Sequence, residues 1–364
     1  MTAPTASPLS TLAQPTVGLT AAQLAERRTG LGASEVAAVL GLDRYKSPLD
    51  VWAEKTGRVV PESSGDSGPA LMGQLLEPIV ATLAQREYQK QDVGLEVLTV
   101  KEAVKRLPWL AVKRRTPSGS TFIGREDWQR ASPDRFVLRQ SAADYDIQSF
   151  SDLFLLECKT KSWKTFRDFG LPGSDQVPYA ILCQAIWQAD VLELERVDVG
   201  VLVDGRDYHP FTVKVEHALA LDLYEQVHDW WHRYVVADVE PPVSRGSDVQ
   251  YLRSKFDQVR DELMPSDPDV EQAVAQLADA RRAAKDAEAA EELAKAHVMR
   301  LMGDYKAVHT PYGKVSFGLV KGAARTDWKA VAEAANAPAE LVQSHTKIGA
   351  PSRQFRFTAA AGDN

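Results

Sequence analysis

Two short segments constrain this chain most, because each combines apolar strand-forming residues with charged ones. The first, ASPDRFV at residues 131–137, contains Asp134, and the second, LFLLECKTK at residues 153–161, contains Glu157 and Lys159. Successive side chains of a β-strand point to opposite faces, so Glu157 and Lys159 lie on one face of the second strand. We therefore expect a hairpin that presents Asp134 beside both of them.

Two carboxylates and a lysine at one point form a site for a hard divalent cation and an activated water. We expect Asp134 and Glu157 to bind Mg²⁺ or Mn²⁺ directly, with the backbone carbonyl of Cys158 as a further ligand. Lys159 would orient or deprotonate the attacking water. The alternative interpretation is an exposed strand that carries a charge pair.

Three further blocks of sequence accompany this pattern and occur in order along the chain. They are RRTGLGASEVAAVLGLDRYKSPLDVWAEKTGR at residues 27–58, LMGQLLEPIVA at residues 71–81 and VPYAILCQAIWQADV at residues 177–191. Together with the Asp and Glu-x-Lys pattern, they resemble the YqaJ-like family of phage recombination exonucleases. That family is related to lambda exonuclease and lies within the PD-(D/E)XK nuclease superfamily. The resemblance covers roughly residues 22–243.

The resemblance implies an α/β fold with a PD-(D/E)XK nuclease core, in which helices flank a mixed central β-sheet. We expect a disordered tail at residues 1–18, the nuclease domain at residues 19–243 and a C-terminal α+β appendage of helices and a β-hairpin at residues 265–364. A helix is expected at residues 70–90, with a kink or break at Pro78. Apolar runs predict strands at residues 96–99, 110–113, 121–124, 131–138, 153–160, 196–203 and 208–215.

The resemblance adds two residues to the expected active site. Glu77 follows Gly73 by four residues, as in the family's helix motif, and a third carboxylate suits a pair of metal ions, which need more anionic ligands than two side chains supply. Gln184 follows Pro178 and Tyr179 and matches the family's glutamine that supports the site by hydrogen bonding. The alternatives are an ordinary helix-face glutamate and a buried glutamine that satisfies the backbone.

The segment GLGASEVAAVLG at residues 30–41 is a candidate anion site. Its glycines allow close backbone approach, and Ser34 begins a helix whose free N–H groups favour an anion. The resemblance assigns this segment to the 5′-phosphate of a DNA end, with Ser34 and Arg27 as contacts and Arg28 as the alternative arginine. The other interpretation is a capped helix without a ligand.

The chain departs from the family pattern between Asp134 and Glu157, where it carries a polar insertion at residues 140–152. An extended hairpin loop would absorb this insertion and leave the strands in place. If the strand register differs instead, Asp127 becomes the competing aspartate.

Composition limits the classes of protein without selecting one. No run reaches the roughly 18 apolar residues that a membrane span needs, and no signal peptide is recognisable, so we expect a cytoplasmic protein, in the bacterial host if phage-encoded. Two cysteines, Cys158 and Cys183, are too few for a disulfide framework. A net charge of −7 does not exclude DNA, because it averages over local basic stretches.

These features predict a magnesium-dependent deoxyribonuclease that degrades one strand of double-stranded DNA from its end. The 5′ to 3′ direction, a ring-shaped homo-oligomer and a partner single-strand annealing protein for homologous recombination are implied by the resemblance alone. A structure-specific endonuclease on the same fold is the close alternative. A non-catalytic DNA-end binding recombination protein is the alternative from another class.

Overall fold

The computed structural model describes residues 21–59, 68–91, 94–119, 121–139, 152–319 and 327–346. The expected tail at residues 1–18 lies outside the described residues. The same holds for the insertion at residues 140–152, except for its last residue. The chain divides into two compact units, Met1–Lys255 and Phe256–Asn364.

The first unit contains a five-stranded and a three-stranded sheet. Its strands are β1 Leu31–Gly32, β2 Leu95–Leu98, β3 Phe122–Ile123, β4 Gln129–Ala131, β5 Arg135–Arg139, β6 Leu153–Lys161, β7 Arg196–Val203 and β8 Asp207–Lys214. The large sheet has the order β2-β5-β6-β7-β8, and β6 and β7 are its parallel pair among otherwise antiparallel neighbours. The small sheet has the order β1-β4-β3.

Helices lie before, between and after these strands. They are α1 Ala21–Arg28, α2 Val36–Val39, α3 Pro48–Lys55, α4 Gly68–Gln91, α5 Val100–Arg106, α6 Pro108–Val112, α7 Trp163–Phe166, α8 Tyr179–Leu192, α9 His217–Trp230 and α10 Asp248–Lys255. A single 3₁₀ turn, Ala33–Glu35, leads into α2, and a π-helical segment, Trp231–Val236, continues α9. Mixed strand directions with flanking helices confirm the α/β fold class.

The large sheet has an apolar cluster on each face, because alternate side chains of its buried strands point in opposite directions. On one face, Val137, Phe154 and Leu156 pack with Ala84 and Tyr88 of α4. The neighbouring residues of the same strands join the larger cluster on the other face, which includes α8. Helix α8 is apolar on most sides and also connects β6 to the parallel strand β7, as a crossover helix must. The sheet is therefore held between two helices.

Helix α4 runs unbroken through Pro78, so the expected break beside Glu77 is wrong. Pro78 lies on the exposed side of the helix, where water can solvate the carbonyl that the missing N–H leaves free. The buried face is formed by Val80, Ala84 and Tyr88.

Two of the expected strands differ in the structure. The strand expected at residues 110–113 is helix α6, whose first residue, Pro108, has the backbone angle that a first helical turn requires. The strand expected at residues 131–138 is divided into β4 and β5. Pro133 lies in the gap and has no N–H to donate to a ladder. Asp134 consequently stands at the start of β5 rather than within a strand.

In the residues described, the second unit contains a long helix, a hairpin and two short helices. They are α11 Pro268–Met302, β9 Ala307–Thr310, β10 Gly313–Ser316, α12 Trp328–Ala334 and α13 Ala339–Ser344. Asp267 caps α11 by accepting the Val270 N–H at 2.9 Å. Among all described residues, no helix is both long enough and apolar enough to cross a membrane.

Phe154→Ala should lower the free energy of unfolding of the first unit by about 3–5 kcal/mol, because it removes a fully buried ring that packs edge-on against Tyr88. Val112→Ala is the matched control, since Val112 is 83% exposed and its loss should cost less than about 0.5 kcal/mol. Urea unfolding followed by tryptophan fluorescence measures this difference. Equal stability of the two variants would contradict the packing of α4 on the sheet.

Candidate active site

The candidate residues meet where β5 and β6 lie side by side. Asp134 directly precedes β5, whose first residue, Arg135, pairs with Leu156 of β6. Glu157 and Lys159 follow Leu156 on β6, where the strand changes from fully buried to half-exposed. The apolar LFLL run therefore anchors the strand, and the charged residues that follow it reach the edge of the core.

Glu157 is the centre of the site. Its side chain is buried, yet both carboxylate oxygens are hydrogen-bonded. Oε1 accepts from Lys159 Nζ and from Gln184 Nε2, each at 2.6 Å, and Oε2 accepts from Gln188 Nε2 at 2.9 Å. Lys159 Nζ also donates to Gln184 Oε1 at 2.9 Å. Glu157, Lys159 and Gln184 thus form a closed ring of hydrogen bonds.

Gln188 is a site residue that the sequence analysis missed. It lies four residues after Gln184 on α8, so the two amides face the same side of the helix. That spacing was the available signal. Gln188 is almost fully buried, and the helix therefore holds Glu157 through two adjacent amides.

Asp134 accepts the backbone N–H of Cys158 at 2.7 Å. Burial, together with the nearby carboxylates of Glu157 and Glu77, raises the pKa of Asp134 well above its usual range, although Lys159 opposes this effect. The Glu157 and Glu77 carboxylates are therefore close enough to disfavour a negative charge on Asp134.

Lys159 keeps its proton in this arrangement. Burial by itself would lower the pKa of its ammonium, but the Glu157 and Asp134 carboxylates outweigh burial and raise it. Lys159 is consequently a hydrogen-bond donor and a fixed positive charge. Of the two roles considered from sequence, orienting the water suits this protonation state.

Glu77 reaches the site from α4, on the opposite face of the sheet from α8. Its Oε1 accepts from Arg135 Nη1 at 2.5 Å, and Arg135 also donates to the backbone carbonyl of Asp134 at 2.6 Å. The sequence analysis did not identify Arg135, and its position next to Asp134 was the only signal. This arginine ties α4 to the start of β5.

The chemistry of the donor set fits a hard divalent cation. Asp134, Glu157 and Glu77 supply carboxylate oxygens, and a cation would relieve the repulsion that the other two exert on a charged Asp134. Each of these three carboxylates accepts a hydrogen bond from a donor group of the protein. Accordingly, no three Asp, Glu, His or Cys side chains within the described ranges are grouped as a ready-made metal site.

The candidate anion loop between α1 and α2 is fixed by backbone contacts to β4. Strand β1 pairs in parallel with β4, and Arg130 of β4 donates to the carbonyls of Glu26 and Thr29. The Arg130 side chain occupies the space beside Gly30, where an added Cβ would lie 2.3 Å from Nε. A side chain at residue 30 would therefore displace the end of the flexible Arg130 side chain.

A buried ion pair fixes the other side of this loop. Glu35 Oε2 accepts from the Gly32 N–H at 3.0 Å and from Lys55 Nζ at 2.6 Å. Lys55, whose side chain is 2% exposed, also donates to the Arg27 carbonyl at 2.6 Å. Burial raises the pKa of Glu35, but Lys55 and Lys46 outweigh it, so the pKa lies below its usual value. The sequence analysis missed Glu35 and Lys55, although the three-residue spacing from Gly32 to Glu35 is that of a capping box.

A cavity of about 470 Å³ lies between this loop and the candidate residues on β6 and α8. Ser34, Lys159 and Gln184 all line it. Arg27 and Arg28 are exposed at the end of α1 and are not among the described residues that line this cavity. The competing aspartate, Asp127, is 87% exposed and pairs with Arg114 away from Glu157.

Comparisons with known proteins agree with the resemblance seen in the sequence. Residues 24–195 match the family model described as the YqaJ-like viral recombinase domain. The uncharacterized protein YqaJ of Bacillus subtilis (strain 168) is 26% identical over 236 residues, which cover 64% of this chain and 62% of that protein. The chain therefore spans less than two thirds of this curated relative.

Two solved structures are similar at lower identity. The alkaline exonuclease LHK-Exo from Laribacter hongkongensis is 18% identical with a TM-score of 0.38, and 64% of this chain covers 95% of it. The complex of LHK-Exo with dAMP is 16% identical with a TM-score of 0.37, over the same shares of the two chains.

Lys55→Met should lower the free energy of unfolding by about 3 kcal/mol, because it leaves the Glu35 carboxylate buried beside fewer positive charges. Lys90→Met removes an exposed ion pair and should change stability by less than about 0.5 kcal/mol. Adding Glu35→Gln to Lys55→Met should recover part of the loss, since the buried charge is then removed. The coupling would be refuted if the double variant lost as much free energy of unfolding as the Lys55→Met and Glu35→Gln variants lose together.

Proposed function

We propose that the chain is a metal-dependent nuclease that degrades one strand of double-stranded DNA from its end, and the match of residues 24–195 to the family model described as the YqaJ-like viral recombinase domain supports this proposal. The observation that carries the proposal is the ring around Glu157, in which Lys159 and Gln184 share one carboxylate and also line the cavity next to Ser34.

Asp134, Glu157 and Glu77, with the backbone carbonyl of Cys158, would hold the metal ions. Bound Mg²⁺ or Mn²⁺ would supply positive charge at the scissile phosphate and lower the pKa of a water. Two ions per site remain a prediction.

The chain's own residues position the reacting groups. Gln184 and Gln188 fix the orientation of the Glu157 carboxylate, so that its direction does not depend on solvent. Protonated Lys159 donates toward the cavity and orients a water or a phosphate oxygen there. Gln184 also accepts from Lys159 and limits the directions in which the ammonium can point.

The 5′ to 3′ direction follows if Ser34 and Arg27 bind the terminal 5′-phosphate. Ser34 is exposed to the cavity that Lys159 lines, so a 5′-phosphate held there belongs to the strand under attack. Ser34 lies within the 3₁₀ turn Ala33–Glu35 and would donate its hydroxyl to the anion, and Arg27 or Arg28 would add charge from α1. A ring-shaped oligomer and an annealing partner for recombination stay predictions from the resemblance.

Asp134→Ala, Glu157→Ala and Lys159→Ala should each lower the rate of hydrolysis by at least about 100-fold, because metal charge and a positioned water are worth several kcal/mol in the transition state. Asp127→Ala is the control and should cleave normally. Digestion of end-labelled linear duplex with Mg²⁺ and with EDTA measures the rates, and a Mg²⁺ titration by calorimetry measures ion binding independently.

Full activity in any of the three alanine variants would refute the assignment. Cleavage of linear but not of circular duplex separates an exonuclease from a structure-specific endonuclease. Mg²⁺ binding without any cleavage would favour a non-catalytic DNA-end binding protein.

Duplex with a 5′-phosphate should be degraded faster than duplex with a 5′-hydroxyl, because Ser34 and Arg27 would hold the phosphate by charge-assisted hydrogen bonds. The combined variant Ser34→Ala, Arg27→Ala should reduce this preference by about tenfold, and Arg28→Ala tests the alternative arginine. The measurement is the ratio of initial rates on the two substrates. Equal rates with the unmodified protein would exclude a 5′-phosphate site.

A further inference from the structure

Strand β6 continues for two residues beyond Lys159 and ends at Lys161. Because strand side chains alternate, Lys161 lies on the same face as Glu157 and Lys159. It lines the same cavity as Ser34 and Gln184. The row of charged residues on β6 therefore extends from the buried carboxylate to the wall of the cavity.

Lys161 differs from the other cations of this cavity in its partners. Lys159 is bonded to Glu157, and Arg44 pairs with Asp168 at 2.7 Å. Within the described part of the chain, the Lys161 ammonium forms no ion pair within 4.0 Å and no hydrogen bond, and its residue is only partly exposed. Asp43 and Asp168, which also line the cavity, act on this ammonium from beyond 4.0 Å, so a half-buried ammonium without a contacting carboxylate is suited to an anionic ligand.

Aromatic side chains stand around the same cavity. Tyr45 is 76% exposed and Tyr179 is 71% exposed, and both line the cavity. Exposed aromatic rings beside a positive charge are the two elements with which proteins hold single-stranded nucleic acid, the rings by stacking on bases and the charge on the backbone.

We propose that Lys161 binds a phosphate of the DNA strand that enters this cavity, beyond the residues that act on the scissile bond. The proposal rests on the proposed nuclease function and deepens it by assigning a contact along the strand. Lys161 positions the strand through its charge and takes no part in bond cleavage.

The test is a salt titration of DNA binding by the full chain in EDTA, where no hydrolysis occurs. The probe is a short fluorescein-labelled duplex with a 5′-phosphate. Lys161→Ala should weaken binding on the order of tenfold at 0.1 M salt, and it should reduce the slope of log K against log salt by about one, the value for one lost phosphate contact. Lys161→Arg should restore the slope, because it keeps the charge.

Lys164→Ala is the matched control, since Lys164 lies three residues further along the chain, is exposed and is not among the described residues lining the cavity. An unchanged slope in Lys161→Ala, or an equal loss in Lys164→Ala, would overturn the proposal. A Lys161→Gln variant with the unfolding midpoint of the unmodified protein provides the same test if the alanine variant is unstable. If the unmodified protein showed no Mg²⁺-dependent cleavage, the proposed nuclease function would be refuted. The slope of log K against log salt tests the role of Lys161 separately.

Discussion

The site depends on one buried carboxylate, Glu157, whose two oxygens both accept hydrogen bonds from helix α8. Glu157 is nearly removed from water, and an ionised carboxylate in that position is costly unless each oxygen has donors. Gln184 and Gln188 provide amide donors, and Lys159 provides the balancing positive charge. Because both glutamines belong to α8, the position of that helix on the sheet and the orientation of the carboxylate are set by the same packing.

The layered fold explains how residues far apart in sequence reach one point. Helix α4 approaches from one face of the sheet with Glu77, and α8 approaches from the other with Gln184. The sheet between them contributes Asp134 at the start of β5 and Glu157 within β6. The apolar half of β6 lies in the core, so the charged half is held at a fixed depth, where the cavity begins.

Much of this arrangement could be predicted from sequence, because its strongest signals are local. The apolar run before Glu157 and the apolar α8 segment have unmistakable patterns, and alternation along β6 places Glu157 and Lys159 together. The failures involve non-local context. The exposed position of Pro78 let α4 continue, whereas Pro108, which turned an expected strand into α6, was a local signal that the strand prediction overlooked. Lys55 pairs with Glu35, 20 residues away in sequence, and Arg135 pairs with Glu77, 58 residues away. No local sequence pattern predicts such pairs.

The parallel pairing of β6 with β7 also determines the stage of translation at which the site can be completed. Parallel neighbours must be joined by a crossover, here the segment that contains α8, and β6 has only β5 beside it until β7 is added. Cys158 and Lys159 pair with Gly200 and Val201, so the charged half of β6 gains its second neighbour only when the chain has been made past residue 203. An emerging polypeptide that stops short of that point lacks the second neighbour of β6, and the group formed by Asp134, Glu157 and Lys159 is therefore completed late in translation.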